Sequence, residues 1–157
     1  SFDVYCVLGA NANKIKAETN ISNIQFINNQ NFEKGLSSSI ICGIDYFNKN
    51  QLNLDGVLIL LADQPAIEMS YLQSLIKLFK ENSSKIIASN YGNFLGVPAI
   101  FSKQFFSELL LIKGDKGAKK FINSKKNDVI TPKETSNFID LDTKEELSLY
   151  KKSLING

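Results

Sequence analysis

Histidine is absent from all 157 residues. Without an imidazole the chain can hold no Ser-His-Asp or Cys-His nucleophile system and no histidine-ligated metal. Any catalysis must therefore rest on carboxylates, lysines, hydroxyls, backbone amides and an oxygen-loving cation. Cysteine is almost as scarce. Cys6 and Cys42 lie far apart, each within an apolar stretch, and match neither a disulfide framework nor a zinc-ligand spacing, so both read as reduced core residues. No apolar run approaches the roughly 20 residues that a membrane helix requires, and no signal-peptide pattern opens the chain. Charge of one sign is lacking too: 18 basic residues face 16 acidic ones, for a net charge of +2. The lysines are scattered, with no stripe that would meet a nucleic acid. These absences predict a soluble, cytoplasmic protein with neither a nucleic-acid nor a membrane partner. A hydrophobic content of 43% is enough for one domain with a sizeable core.

Short strands and helices alternate along the chain. Val4 to Gly9 and Ile24 to Ile27 read as strands, and the helix formers of NANKIKAET lie between them. Leu36, Ile40, Ile44 and Phe47 fall on one helical stripe, behind a polar start at Ser37 to Ser39. GVLILL is a third strand, and Ser70 to Glu81 is an amphipathic helix with Ser70 as its cap. Lys85 to Ser89 and Val97 to Phe101 follow as strands around the turn-prone YGNFLG. Next come a helix near Lys103 to Leu111, a GDKG turn that opens another helix, strand candidates near Val129 and Phe138, and a last helix from Thr143 to about Leu154. This alternation predicts an α/β fold with a mostly parallel sheet covered on both faces.

In such sheets ligands bind outside the carboxyl ends of the strands. The stretch VLILLADQPAI sets Asp63 at such an end, and Pro65 keeps Gln64 out of the helical region. One reading is a fixed anionic ligand facing a cleft; the other is an Asp that caps the turn after it.

NFEKGLSSSI, VLILLADQP, GVPAIF with LIKGDKGAKKFI, and IDLDTKEEL occur in this order between Asn31 and Leu147. Together they resemble the MobA-like nucleotidyltransferases, most of all the molybdenum cofactor cytidylyltransferase branch. The matching pieces there are a G-[ML]-S-x-S-[LI] helix start, an aDQP strand end, a G-x-P strand with L-x-GD-x-GA, and a DIDTPEDL close. The resemblance implies a Rossmann-like nucleotidyltransferase fold and transfer of a nucleoside monophosphate, CMP from CTP, to a phosphate-bearing acceptor such as molybdopterin. Asp63 would be the catalytic residue and would hold Mg²⁺ against the triphosphate. Gly35, Leu36, Ser37, Ser39, Ala62 and Asp63 would bind the nucleotide. Gln64, Pro98, Gly114 and Asp115 would meet the pterin-like acceptor. Asp142 would be a second metal ligand, or would cap the final helix instead. Asp115 has a structural alternative as well, capping the helix that starts at Ala118, and Ser37 and Ser38 have one as N-caps. The implied partners are a nucleoside triphosphate, the acceptor and a molybdoenzyme.

The resemblance has two gaps. Val97 stands where family members often carry a histidine, which leaves the acceptor open. The family's first strand and glycine-rich loop LAAGxSxRMGxxK, which cradles the triphosphate, have no counterpart in these 157 residues. SFDVYCVLGA resembles the family's second strand, so the expectation is an N-terminally truncated single domain with one βα unit of about 30 residues missing in front. An uncatalytic domain that binds a nucleotide or a partner is the alternative expectation.

Overall fold

The structure, a computed structural model, describes residues 3–155. The first unit is β1 (Val4–Leu8), α1 (Ala12–Glu18) and β2 (Ile24–Asn28), and its two strands pair in parallel from Val4 beside Ile24 to Leu8 beside Asn28. α2 (Leu36–Lys49) follows, then β3 (Gly56–Ile59), α3 (Met69–Glu81), β4 (Ile86–Asn90) and β5 (Leu95–Ser102). The chain ends through α4 (Phe106–Leu109), α5 (Gly117–Ser124), β6 (Val129–Ile130) and α6 (Lys144–Ile155). The second sheet has the order β3-β5-β4-β6.

Strand alternation divides the core. Successive side chains of a strand point to opposite faces. Ile86 and Ala88 of β4, with Ala99 and Phe101 of β5, therefore pack beneath α2, α4 and α5 against Ile44, Leu109 and Ile122. Their neighbours Ile87 and Ile100 face the other way, onto Tyr71 and Leu75 of α3. The expected α/β architecture with helices on both faces is the one observed. The stripe expected on α2 also holds: Ile40, Ile44 and Phe47 are buried, although Leu36 at its start is exposed.

Strand direction differs from the expectation. The β1–β2 and β4–β6 pairs are parallel, but β3–β5 and β4–β5 are antiparallel, and β1–β2 forms a sheet of its own. The cause is the connection after β4. Residues 91–94 close a tight turn with Tyr91 N–H donating to the Phe94 carbonyl at 3.0 Å, whereas a parallel crossover needs a dozen residues or more. β5 must then run back along β4, and β3 pairs with β5 rather than with a parallel neighbour. A bulge between Ala88 and Ser89 lets β5 pass Val97 and Pro98, where proline has no N–H to give the ladder. Among the described residues, β1 and β3 each keep one edge unpaired.

Three local expectations are corrected. The third strand stops at Ile59, so Leu60 to Ala62 carry the chain on to Asp63. Phe138 lies in no strand; its ring packs against Tyr91 and Tyr71, with centroids 4.4 and 5.4 Å away. Ser70 is already helical and Glu68 takes the N-cap position of α3, while the Ser70 hydroxyl donates to the Glu68 carboxylate at 3.1 Å.

α6 opens on a reciprocal capping box. Glu146 N–H donates to Thr143 Oγ1 at 3.1 Å, and the Glu146 carboxylate accepts from Thr143 N–H at 2.8 Å and from Asp142 N–H at 2.9 Å. Thr143, not Asp142, is thus the cap. The backbone N–H of Thr143, then its hydroxyl, then the N–H of Asp142, hold the Glu146 carboxyl below the ordinary glutamate range. A carboxyl whose pKa is depressed by folding stabilises above its unfolded-state value and loses that contribution as pH falls through its folded value. Far-ultraviolet circular dichroism is expected to show α6 fraying as pH drops through and below the ordinary glutamate range. Glu146→Gln should flatten that acid limb; an unchanged limb would remove the capping box as its source.

Candidate functional site

Two regions at strand ends carry the polar side chains of interest. The first is an open depression of about 570 Å³ at the carboxyl ends of β1 and β2, lined by Gly9, Asn11, Lys14, Asn28, Asn29 and Phe32 among others. Asn29 organises its wall. Its side chain is buried, donates to Ser38 Oγ at 2.8 Å and to Ser39 Oγ at 3.1 Å, and accepts from Asn31 N–H at 2.9 Å. Ser39 is half-buried, so its own proton is left to turn towards a ligand. Sequence reasoning passed over Asn11 and Asn29. Their signal was the asparagine-rich runs NAN and NNQN directly after two strands, where loops meet ligands.

The start of α2 forms a lock with the GDKG turn. Leu36 N–H donates to Asp115 Oδ1 at 3.3 Å, Ser37 N–H donates to the Gly114 carbonyl at 3.3 Å, and the Ser37 hydroxyl donates to the same carbonyl. Asp115 therefore caps α2, in place of the helix at Ala118 for which it was the structural candidate, and its charge suits the positive amino end of α2. Gly35 takes φ 90, and a Cβ there would run into the Asp115 carboxylate. Ser37 is 2% exposed with its hydroxyl committed, and Ser38 donates to the Gly35 carbonyl at 2.8 Å. Neither serine caps the helix with its side chain. Of the expected nucleotide contacts in this region, Gly35, Leu36 and Ser39 remain at the surface, and Ser37 does not.

The second region is the turn after β3. Ala62 and Asp63 are exposed, and Gln64 between them and Pro65 is 6% exposed. Three contacts dock α6 and the segment before it on this turn. Leu141 N–H donates to the Asp63 carbonyl at 2.8 Å, Gln64 Nε2 donates to Asp140 Oδ1 at 2.7 Å, and Tyr150 OH donates to the Pro65 carbonyl at 3.2 Å. Gln64 Nε2 also reaches Tyr91 OH at 3.2 Å, and that hydroxyl donates to the Val97 carbonyl at 2.6 Å. Burial raises the Tyr91 phenol above its ordinary pKa; the Gln64 hydrogen bond opposes the shift, and Asp140 and Asp63 nearby add to it. Tyr91 is thus a neutral donor. Asp142 is exposed on the same docked segment. Pro98 is fully buried in the bulge of β5, its carbonyl accepting from Ser89 at 2.7 Å, so the expected acceptor contact is corrected: it shapes the strand. Gln64, also expected to meet the acceptor, spends its amide on Asp140 and Tyr91.

Among the described residues no three cysteine, aspartate or glutamate side chains converge as a metal cage. One or two carboxylates at an exposed turn do suit a hard cation that takes its remaining oxygens from phosphates and water. Both free cysteines are half-buried, and burial raises both thiols above their ordinary pKa. No helix among the described residues is long and apolar enough to cross a membrane.

Helices on both faces of the β3-β5-β4-β6 sheet, with polar groups gathered beyond strand ends, make this an α/β protein. The chain belongs to the MobA-like NTP transferase domain family, whose model matches residues 2–129. It is similar to the purine catabolism protein PucB of Bacillus subtilis (strain 168), with 30% identity over 128 residues, 80% of this chain and 60% of that protein. The chain thus spans about three fifths of the length of that relative. Its fold is similar to the crystal structure of the Mycobacterium tuberculosis rv0371c homolog from mycobacterium sp. strain JC1, with TM-score 0.77, 24% identity, and coverage of 99% of this chain and 77% of that one. It is also similar to the manganese complex of Rv0371C from Mycobacterium tuberculosis H37Rv, with TM-score 0.72, 22% identity, and coverage of 94% and 77%.

The lock at α2 yields a double-mutant test. Gly35→Ala should destabilise by about 1–3 kcal/mol through its left-handed φ and the collision with Asp115. Asp115→Ala should lose about 0.5–2 kcal/mol as a missing cap. Urea denaturation of the pair together is expected to show less than the sum, because the colliding carboxylate is gone. Strict additivity would show that Asp115 does not sit on the start of α2.

Proposed function

We propose that the whole protein is a nucleotidylyltransferase that moves a nucleoside monophosphate, CMP from CTP in the first instance, onto a small phosphate-bearing acceptor of the pterin type. An acceptor phosphate oxygen attacks the α-phosphorus, the bond to the β-phosphate breaks, and pyrophosphate leaves. The observation that carries this reading is Asp63, exposed on a turn that the Leu141 and Gln64 hydrogen bonds hold in place, within a domain of the MobA-like NTP transferase family. A divalent cation, Mg²⁺ or Mn²⁺, would supply charge neutralisation at the phosphates when bound at Asp63. The base would lie near Gly35, Leu36 and Ser39 at the start of α2, which Asn29 ties to the asparagine-lined depression through its bond to Ser39, and Ala62 would pass beside the phosphates. Asp115 and Gly114, at the start of α2, border the acceptor side. A molybdoenzyme is the partner that a pterin acceptor implies.

A phosphate attacking a phosphate brings its own negative oxygen, so no side chain need remove a proton. Positioning and electrostatics then carry the rate, and the lack of histidine is no obstacle. A further strand with a glycine-rich phosphate loop, of the kind the family resemblance implies, would supply the triphosphate cradle. A cradle of that kind supplies several charge-assisted hydrogen bonds, each about 1.5–3 kcal/mol.

Two measurements test this. In the whole protein, Asp63→Asn should lower turnover at least about a hundredfold and leave thermal unfolding unchanged, because the side chain is exposed; full turnover in that variant would sink the assignment. Calorimetric titration of residues 1–157 alone with CTP, GTP and ATP plus Mg²⁺ should give affinities on the order of millimolar at best. Micromolar binding would show that residues already present cradle the phosphates.

A further inference from the structure

Three serines in a row open α2, and two of them spend their protons on the protein. The Ser37 hydroxyl donates to the Gly114 carbonyl, and the Ser38 hydroxyl donates to the Gly35 carbonyl at 2.8 Å. Ser39 differs. Its oxygen accepts from Asn29 Nδ2 at 3.1 Å, and no acceptor among the described residues takes its proton. Chemistry fixes the direction of that bond. Asn31 N–H, a backbone donor, lies 2.9 Å from Asn29 Oδ1, so a flipped amide would set two donors face to face. The two amide protons therefore go to Ser38 and Ser39, from a side chain that is only 2% exposed. A buried amide with both ends satisfied is a rigid part. It holds the half-buried Ser39 as an acceptor inward and a donor outward.

We infer that Asn29 is a positioning residue that sets the polarity of Ser39, and that the outward Ser39 proton selects cytosine over uracil at the ring nitrogen N3. The inference rests on the reading of a nucleobase at the start of α2. The two pyrimidines share the O2 acceptor, and N3 is the one acceptor that cytosine has and uracil lacks. In uracil the same nitrogen carries a hydrogen. A hydroxyl held as a donor pairs with the first and opposes the second. Asn29 itself acts only through Ser39.

The test is calorimetric titration of the whole protein with CTP and with UTP, each with Mg²⁺. Wild-type protein should bind CTP roughly tenfold tighter than UTP, about the worth of one hydrogen bond. Asn29→Asp keeps the size and the acceptor for Asn31, and the amino end of α2 favours its charged form, which has no proton to give. Ser39 must then donate inward and turn its lone pairs outward, so this variant should lose the preference for CTP or reverse it. In the Ser39→Ala background, Asn29→Asp should shift the ratio no further. A merely structural Asn29 would weaken both nucleotides alike and leave their ratio untouched; that result overturns the inference, while the reading of the base survives. Equal binding of CTP and UTP by the wild-type protein, or a wild-type ratio kept by Ser39→Ala, overturns it as well. If the wild-type protein binds no CTP, the reading beneath falls and the inference with it. Should Asn29→Asp not fold, Ser39→Ala decides alone: a ratio that collapses towards one supports the inference, and an unchanged ratio overturns it.

Discussion

The antiparallel pair of β4 and β5 is the constraint on which the other elements rest. Both strands are buried on both faces, and their alternation sends Phe101 and Ile86 under α2 while Ile100 and Ile87 meet α3. β3 is held by β5 through the register from Gly56 beside Ser102 to Ile59 beside Ala99. The place of Asp63 is therefore inherited: a turn leaving β3 can be no better fixed than the strand that β3 pairs with. The Val97–Pro98 bulge belongs to the same pair, and the Val97 carbonyl beside it anchors Tyr91, which in turn receives Gln64. A hairpin in the core thus reaches the candidate site through two hydrogen bonds.

Local signals in the sequence carried the elements well, since a strand or a helix face needs only a few neighbouring residues to declare itself. Ile40, Ile44 and Phe47 were readable as a buried stripe, and GVLILL as a strand, because hydrophobic period is local. The family motifs were also local strings. What stayed hidden was any property decided by distant partners. Asp115 was read as a cap for the helix next to it, yet its acceptor oxygen meets Leu36, 79 residues away. Gln64 was read as facing an acceptor, yet its amide meets Asp140 at a separation of 76. Strand direction failed for a related reason. Whether YGNFLG is a tight turn or the start of a crossover is settled by which strand lies beside β4, and alternation of elements does not state that.

Asp142 shows how two near-equivalent residues are told apart only by packing. IDLDT presents two aspartates two positions apart, and the resemblance pointed to the second. Glu146 draws the N–H of Asp142 into the cap of α6, while Leu141 and Gln64 draw the residues before it onto the turn after β3. The chain is pinned at both sides of Leu141, so the Asp140 carboxylate meets the turn while Asp142 gives its backbone N–H to the helix cap.

The two polar regions lie on different sheets, the asparagine-lined depression on β1 and β2 and the Asp63 turn on β3, and they share one core through α2. That division suits a reaction in which one end of the substrate is recognised and the other is transformed. Neither region offers an imidazole or a reactive thiol, and in the proposed transfer neither is required, because the attacking phosphate is already an anion. The protein's task is then to hold charges still at fixed places. An exposed loop carboxylate would do that poorly by itself. Its backbone, tied by the Asp63 carbonyl to Leu141 and flanked by a glutamine locked between a carboxylate and the Tyr91 hydroxyl, is a rigid support from which a charge could act as a preorganised stabiliser in the proposed transfer.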